Sequence, residues 1–297
     1  LYPALRFVES ADSFMRARHA NAADVLYEDI AGVLGNFVLG LAGRKLKLEQ
    51  GERAYTDTER LFLPAITAAL ETAADNFKLA KATCAMLWAQ VRFGTLRLDL
   101  PAACAGYPDP ERALRQLHGL ETVRLTACIG RELPGLHREM ARLRALRNET
   151  LPLGWAPLTA PLAGSTARLE DSLALLDAAY GLPDFAPWCH QGELDPAAVA
   201  ACRAGRLEKE KARLRVRLAQ LADELRSHRD DPGSGPRDAE SPRFEVRPED
   251  EEGRLDFEVT LDGMPIAPPE EVRQLMISVH LDFGEIPPEY LVPAGDG

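Results

Sequence analysis

The sequence predicts a mainly α-helical protein of the α+β class: a helical body with β-hairpin insertions, followed by a small C-terminal β-rich module. Three observations lead to this prediction. Residues 75–93 repeat apolar side chains at three- and four-residue spacing, which is typical of a buried helix. Residues 44–63 contain short alternating segments that indicate a β-hairpin. After residues 230–242, which are rich in Pro, Gly and charge, the pattern changes to the two-residue alternation of strands.

These changes in composition divide the chain into two predicted units. The helical body covers residues 1–229, with its β-hairpin near residues 44–63. Residues 230–242 (DDPGSGPRDAESP) have the composition of a linker, because Gly and Pro punctuate regular structure. The β-rich module covers residues 243–293, and residues 294–297 are expected to begin a linker to a further C-terminal domain.

The helical body opens with two predicted helices, at residues 5–20 and 21–41. The central helix follows the predicted hairpin. Asp75 or Asn76 is expected to cap it, because a short side-chain oxygen accepts the first free backbone N–H groups. It is expected to end near Gly94, since glycine adopts the left-handed conformation that closes many helices.

Further helices are predicted at residues 111–117, 120–148, 165–180 and 196–229. Pro134 is expected to kink or split the second of these, because proline lacks the backbone N–H that a helix interior needs. A Ser/Thr cap is expected at Ser165. Asp195 is expected to cap the last helix, with Pro196 in its first turn. That helix carries a narrow leucine stripe.

Two regions are predicted to contain strands. In the body, Leu46-Lys47-Leu48 alternates, residues 50–52 form a turn, and residues 54–63 form the second strand of the hairpin. In the module, two strands are predicted at residues 244–246 and 255–261, joined by an acidic turn at residues 248–253. A short helix at residues 270–281 and an extended segment at residues 286–293 follow.

Composition favours a folded cytoplasmic protein. The chain has 297 residues, a net charge of −11, 46% hydrophobic and 27% charged residues, values typical of folded domains. The acidic balance argues against nucleic-acid binding, and no apolar run is long enough to span a membrane. The cysteines are odd in number and widely scattered, which indicates reduced thiols. They are Cys84, Cys104, Cys128, Cys189 and Cys202.

No familiar catalytic signature is present in the sequence. It contains no H-E-x-x-H zinc motif, no phosphate-binding G-x-x-x-x-G-K-[ST] loop and no G-x-G-x-x-G loop. We therefore assign no catalytic, cofactor-binding or metal-binding residue. Cys189 and His190 form the only adjacent pair of soft ligands, and packing is the favoured interpretation. A hydrolase that uses Cys189, His190 or Glu193 remains an alternative.

The last helix of the body offers a candidate docking surface. Its basic residues lie above the leucine stripe, an arrangement that fits a helix docking on an acidic partner. A solvated face of an exposed helix is the simpler interpretation, because Lys and Arg stems often cover such helices. The candidate docking residues are Arg203, Arg206, Lys209, Arg213 and Arg217.

Several segments resemble the N-terminal region of NorD- and CbbO-type proteins. Near the central helix they are Thr56-Asp57, LFLP at residues 61–64, DNF at residues 75–77 and RFGT at residues 92–95. Later in the chain they are HQGELDP at residues 190–196 and EIPPEYL at residues 285–291. Together these segments touch most of the chain, and none of them is a catalytic signature.

The resemblance implies a non-catalytic adaptor of a hexameric MoxR-type AAA+ ATPase, similar to CbbQ. It favours the CbbO branch, in which the target is Rubisco blocked by inhibitory sugar phosphates. The NorD branch, which helps mature nitric oxide reductase, is the alternative. Family members carry a metal in a C-terminal von Willebrand factor A domain with a D-x-S-x-S motif. That motif is absent here, so no cofactor is expected in this chain.

Overall fold

The computed structural model describes residues 23–227, 242–251 and 254–294. It is mainly helical with three small sheets, which confirms the predicted fold class. The helices are α1 (Tyr27–Leu39), α2 (Ala73–Arg92), α3 (Leu100–Cys104), α4 (Pro110–Glu132), α5 (Pro134–Leu146), α6 (Ala156–Leu162), α7 (Leu169–Ala174), α8 (Leu176–Tyr180), α9 (Pro196–Ser227) and α10 (Glu270–Phe283).

The strands are β1 (Val25–Leu26), β2 (Lys47–Gly51), β3 (Tyr55–Thr56), β4 (Arg60–Pro64), β5 (Ile66–Thr67), β6 (Phe244–Glu251), β7 (Arg254–Leu261) and β8 (Met264–Ile266). Short 3-10 helices lie at Thr95–Arg97 and Pro288–Tyr290. The predicted helix at residues 5–20 lies outside the described residues, as does nearly all of the predicted linker.

Helix α1 is shorter than the helix predicted at residues 21–41. Val25 and Leu26, which were predicted to be helical, form strand β1 instead, because they pair with Thr67 and Ile66 of β5 in an antiparallel ladder. The strand pairing is a contact between distant parts of the chain, which the local helical spacing did not reveal.

Helix α2 is the centre of the larger hydrophobic core, as predicted. Trp88 is 2% exposed, and its Nε1 donates a hydrogen bond to the carbonyl oxygen of Ala42 over 2.8 Å. The helix ends at Arg92, and Gly94 follows in the left-handed conformation with φ +78°. The predicted end near Gly94 is therefore confirmed.

The predicted cap of α2 is wrong. Thr72 is the N-cap, and its Oγ1 accepts from the backbone N–H of Asp75 over 3.1 Å. Asn76 is instead fully buried. Its side chain donates to the carbonyl oxygens of Ala23 and Leu70 and accepts from the Leu70 N–H. Asn76 thus fastens the start of the described chain to α2.

The predicted hairpin between residues 46 and 63 is also wrong in its pairing. β2 lies parallel to β4, from Lys47 opposite Arg60 to Gly51 opposite Pro64. β3 is the antiparallel neighbour of β4, so the order is β2-β4-β3. The tight turn lies at Asp57, whose Oδ1 accepts from two backbone N–H groups, those of Glu59 and Arg60. The chain also bends at residues 52–54, between β2 and β3, so it changes direction twice between β2 and β4.

Helices α4 and α5 are separated at Pro134, as expected. In contrast, the predicted break between residues 117 and 120 does not occur, and α4 continues through Gly119. A Cβ at Gly119 would lie 2.5 Å from Cγ of Phe185. Glycine is therefore required there because the Phe185 ring packs against the helix, not because the helix ends.

The helix predicted at residues 165–180 is two short helices, α7 and α8. Arg168, not Ser165, precedes the first of them. The long helix α9 agrees with its prediction at the N-terminal end, where Asp195 Oδ1 accepts from the Ala198 N–H over 2.9 Å.

The C-terminal module is an antiparallel sheet, β6-β7-β8, together with α10. β6 continues to Glu251 through most of the predicted acidic turn, and β8 was not predicted. A 3-10 helix at Pro288–Tyr290 interrupts the segment expected to be extended.

The leucine stripe of α9 completes the core of this module, with Leu214, Leu218 and Leu221 buried against Phe257 and Met276 among others. The module therefore packs on the last helix of the body.

Candidate functional site

A charged cleft lies where the helical body meets the C-terminal module. Its volume is about 640 Å³, and residues of β2, β4, α9 and α10 line it. Six basic and four acidic residues face the cleft, although the whole chain has a net charge of −11. The cleft is therefore a local concentration of positive charge on an acidic protein.

Two of the lining arginines, Arg44 and Arg206, are buried and converge on Asp282 of α10. Arg206 Nη2 lies 2.8 Å and 2.9 Å from the two carboxylate oxygens. Arg44 Nη2 lies 2.8 Å from Asp282 Oδ2. A buried carboxylate is tolerated when it is paired and hydrogen-bonded in this way.

The two guanidinium groups make further hydrogen bonds. Arg44 donates to the Ser278 carbonyl oxygen and Oγ and to the Thr58 carbonyl oxygen, over 2.7, 2.8 and 3.1 Å. Arg206 donates to Thr58 Oγ1 over 2.7 Å. Ser278 in turn donates to Glu210 Oε1 over 2.6 Å. The cluster joins the β3–β4 turn, α9 and α10 into one polar junction.

Burial acts on the ionisation of this cluster. It lowers the pKa of the Arg44 guanidinium, and Asp282 opposes that effect. At Arg206 burial acts in the same direction, but the attraction of Asp282 outweighs it and the pKa is raised. Burial also raises the pKa of the Glu210 carboxyl, against the hydrogen bond from Ser278. The net result is a junction whose two arginines stay charged because Asp282 compensates them.

Exposed cations surround the mouth of the cleft. We define the basic rim as Lys45, Lys47 and Arg213, all of which are exposed and line the cleft. Among the described residues, no carboxylate lies within ion-pair distance of any of the three. Their charge is therefore available to an acidic partner.

The predicted docking residues do not form one surface. Arg206 is 5% exposed and belongs to the buried junction, so it is not part of an exposed surface. Arg203 is half-buried and donates to the carbonyl oxygens of Arg97 and Asp282 over 2.6 Å and 2.7 Å. Both side chains turn inward because α9 packs against the module on that side.

The other three predicted docking residues are exposed. Arg213 belongs to the basic rim, and Lys209 lies one turn before it on α9. Arg217 forms an ion pair with Glu271 of α10 over 2.7 Å. Sequence reasoning missed Lys45 and Lys47, although the run Arg44-Lys45-Leu46-Lys47 is a local signal of positive charge beside a strand.

The alternative hydrolase site is not arranged to activate its cysteine. Cys189 Sγ lies 3.9 Å from His190 Nδ1. Burial and the nearby Glu149 raise the thiol pKa of Cys189 to about 12, and burial lowers the pKa of His190 to about 3. A thiolate nucleophile needs the opposite shift at the cysteine. Glu193 is occupied by an ion pair with Arg53 over 2.8 Å.

A second buried ion pair, Glu121 with Arg124, is structural. The carboxylate of Glu121 accepts from Arg124, Ser172 and Thr95, so its oxygens are satisfied within the protein. Within the described parts of the chain, no group of three or more His, Cys, Asp and Glu side chains is placed to hold a metal ion.

Comparisons with known proteins give no relative from which a function could be transferred. No family model, curated protein or solved structure matches the chain. No helix in the described residues is long and apolar enough to cross a membrane.

Proposed function

We propose that this chain is a non-catalytic adaptor that docks on a hexameric MoxR-type AAA+ ATPase of the CbbQ kind. It would couple the ATPase motion to the remodelling of inhibited Rubisco. The choice of partner rests on the segments that resemble NorD- and CbbO-type proteins. The docking site is inferred from the basic rim. Its three cations are exposed and have no acidic partners among the described residues.

The polar junction beside the rim supports this role. Arg44 and Arg206 tie the β3–β4 turn, α9 and α10 to Asp282, so the rim residues stand on elements that are fastened together. An adaptor has to transmit motion from the ring to its target. Rigid packing between the docking surface and the rest of the protein serves that purpose.

The resembling segments lie at contacts that hold the body together. Thr56-Asp57 leads into the turn whose Thr58 accepts from Arg206. Glu193, in a later segment, donates its backbone N–H to the Ala54 carbonyl oxygen over 2.7 Å. Both segments therefore take part in contacts between parts of the body that are distant in the sequence.

A cytoplasmic location belongs to the same proposal. All five cysteines are free, and three of them are buried. Free thiols are typical of proteins that function in a reducing compartment.

The docking proposal is tested with the chain and a CbbQ-like ATPase, by co-purification and by the ATPase rate. The double variant Lys47→Glu/Arg213→Glu should weaken the complex roughly tenfold, because rim charges govern association with a charged partner. Added salt should weaken the native complex for the same reason. Arg138→Glu/Arg247→Glu, which makes the same charge change at exposed sites outside the cleft, is the matched control.

Two results would count against the proposal. One is a folded chain that forms no complex and leaves the ATPase rate unchanged. The other is an equal loss of binding in the control variant, which would indicate an effect of net charge alone. The target is tested separately, by the recovery of carboxylation when chain and ATPase are added to sugar-phosphate-inhibited Rubisco. ATPase stimulation without recovery would favour the alternative, maturation of nitric oxide reductase.

A further inference from the structure

An apolar groove lies apart from the charged cleft and shares no lining residue with it. Its volume is about 970 Å³. Two loops, residues 64–69 and 187–194, form its walls together with one face of α2 and one face of α4. The surface of these walls is mostly apolar, and half-buried Ile66, Leu114 and Leu194 contribute to it. Concentrated apolar surface of this kind is typical of a site that another element covers.

The lining residues of α4 share one side of that helix. They lie three, four and seven residues after the first of them, a spacing that places side chains on a common face. They are Glu111, Leu114, Arg115 and His118. The steps from the first to the last correspond to about 10 Å along the helix axis, or about two helical turns. A wall of this length suits the apolar side of another helix.

The first described residues lie beside this groove. Both residues of β5 line it, and β1 pairs with them in the antiparallel ladder. Asn76 Nδ2 donates to the carbonyl oxygen of Ala23 over 2.7 Å. Leu79 and Ala80, which line the groove, lie three and four residues after Asn76 on the same face of α2. The chain before Ala23 therefore leaves the described part within about one helical turn, roughly 5 Å, of the groove wall.

The sequence before Ala23 contains an apolar side that matches the groove in length. Residues 5–20, predicted as a helix, place apolar side chains at three- and four-residue spacing. These are Phe7, Val8, Ala11, Phe14 and Met15. In a helix the set spans about 12 Å, close to the length of the α4 wall. Helices of this size are marginal alone and gain most of their stability when an apolar face is packed.

We propose that the apolar side of residues 5–20 packs as a helix into this groove of the same chain, between α2 and α4. The connection from Met15 to Ala23 reaches up to roughly 28 Å when extended, which is ample for a groove that begins beside Ala23. Burial of Phe7 and Phe14 against the walls supplies the driving force, because both rings leave water. This inference is independent of the docking proposal.

A photo-reactive side chain tests the placement on the full chain. With p-benzoylphenylalanine in place of Phe14, illumination should cross-link this position to residues 64–69, 111–118 or 187–194, as identified by mass spectrometry. The same group in place of Ser13, on the polar side of the predicted helix, is the matched control and should lose these cross-links. Equal cross-linking from both positions, or none from position 14, would overturn the inference.

Mixing isotope-labelled and unlabelled chains separates the two protein occupants that the groove could have. Cross-links that join residues of one chain support the inference. Cross-links that join a labelled chain to an unlabelled one would overturn it, because a second copy would then fill the groove.

A blocking variant tests the groove itself. Ala68→Glu places a charge at an exposed wall position and should displace the segment, so that trypsin cleaves after Arg16 and Arg18 roughly tenfold faster, since cleavage follows the population of the open form. Ala103→Glu makes the same change at an exposed position of α3 outside the groove and should cleave like the native chain. Circular dichroism checks that both variants are folded. Equal cleavage rates in the two folded variants would overturn the inference.

Discussion

Arg206 and Asp282 lie 76 residues apart in the sequence and form a buried ion pair, in which one guanidinium nitrogen contacts both carboxylate oxygens. Arg44 contacts the same carboxylate from another part of the chain. The contact fixes α10 of the C-terminal module to α9 and to the segment before β2. Asp282 is therefore the acidic residue that both buried arginines contact most closely.

Asp282→Asn should lower the free energy of unfolding by about 3–5 kcal/mol, because it removes the anion that both buried arginines contact most closely. Urea unfolding followed by circular dichroism measures the change. Glu271→Gln breaks the exposed pair with Arg217 and should cost only about 0–1 kcal/mol. Similar small effects of both variants would mean that the junction contributes little to stability.

Trp88→Ala should cost about 3–5 kcal/mol, because the indole is buried in the main core and its removal leaves a cavity. The same unfolding experiment reports it. Leu153→Ala is the control, since Leu153 is 87% exposed and its truncation should change stability by less than about 0.5 kcal/mol. A nearly neutral Trp88→Ala variant would show that the face of α2 around Trp88 is not packed.

Thr72→Ala should destabilise the protein by about 1 kcal/mol, because it removes the cap that accepts from the Asp75 N–H. Ser165→Ala tests the cap that the sequence indicated but α7 does not use, and it should have almost no effect. Thermal unfolding of the two variants compares them directly. A larger loss at Ser165 than at Thr72 would reverse this assignment.

His190 should make stability depend on pH. Burial lowers the pKa of the folded-state imidazole to about 3, whereas it titrates near 6.5 in the unfolded chain. Above pH 6.5 both states are neutral, and the stabilising contribution is fully present. As the pH falls from 6.5 towards 3, the unfolded state takes up a proton that the folded state does not, so stability falls by roughly 1.4 kcal/mol per pH unit.

His190→Gln should remove this component of the slope. Urea unfolding of both proteins between about pH 5 and pH 7.5 gives the comparison, in which slopes are compared instead of absolute stabilities. Parallel slopes would mean that His190 accepts a proton in the folded protein.

Cys189 should alkylate slowly with iodoacetamide at neutral pH, since burial and Glu149 raise its pKa to about 12 and only the thiolate reacts. Mass spectrometry of labelled peptides measures the rate, with urea-unfolded protein as the reference. Labelling of the folded protein faster than the unfolded reference would revive the hydrolase alternative.

The features that the sequence predicted well depend on neighbouring residues. The break at Pro134, the left-handed Gly94 and the cap of α9 by Asp195 all follow from local backbone chemistry. The parallel pairing of β2 with β4 was not predictable in this way, because it depends on which of the nearby strands supplies the partner.

The candidate docking site was likewise predictable only where it depends on neighbouring residues in the sequence. Periodicity identified the basic side of α9, and it placed Lys209 and Arg213 on the surface correctly. It placed Arg206 there as well, because a charged residue in an exposed helix is normally solvated. Its burial depends on Asp282 and Thr58, which come from elsewhere in the chain. Lys45 and Lys47 join Arg213 only through the tertiary structure.

Helix α9 belongs to both hydrophobic cores: Val199 packs in the larger one, and Leu214 and Leu218 pack in that of the module. Its 32 residues span about 48 Å at 1.5 Å per residue. A continuous helix resists compression and bending far better than a loop connection does. A force applied to the C-terminal module would therefore be transmitted through α9 to the helical body. The module and the body would then tilt together.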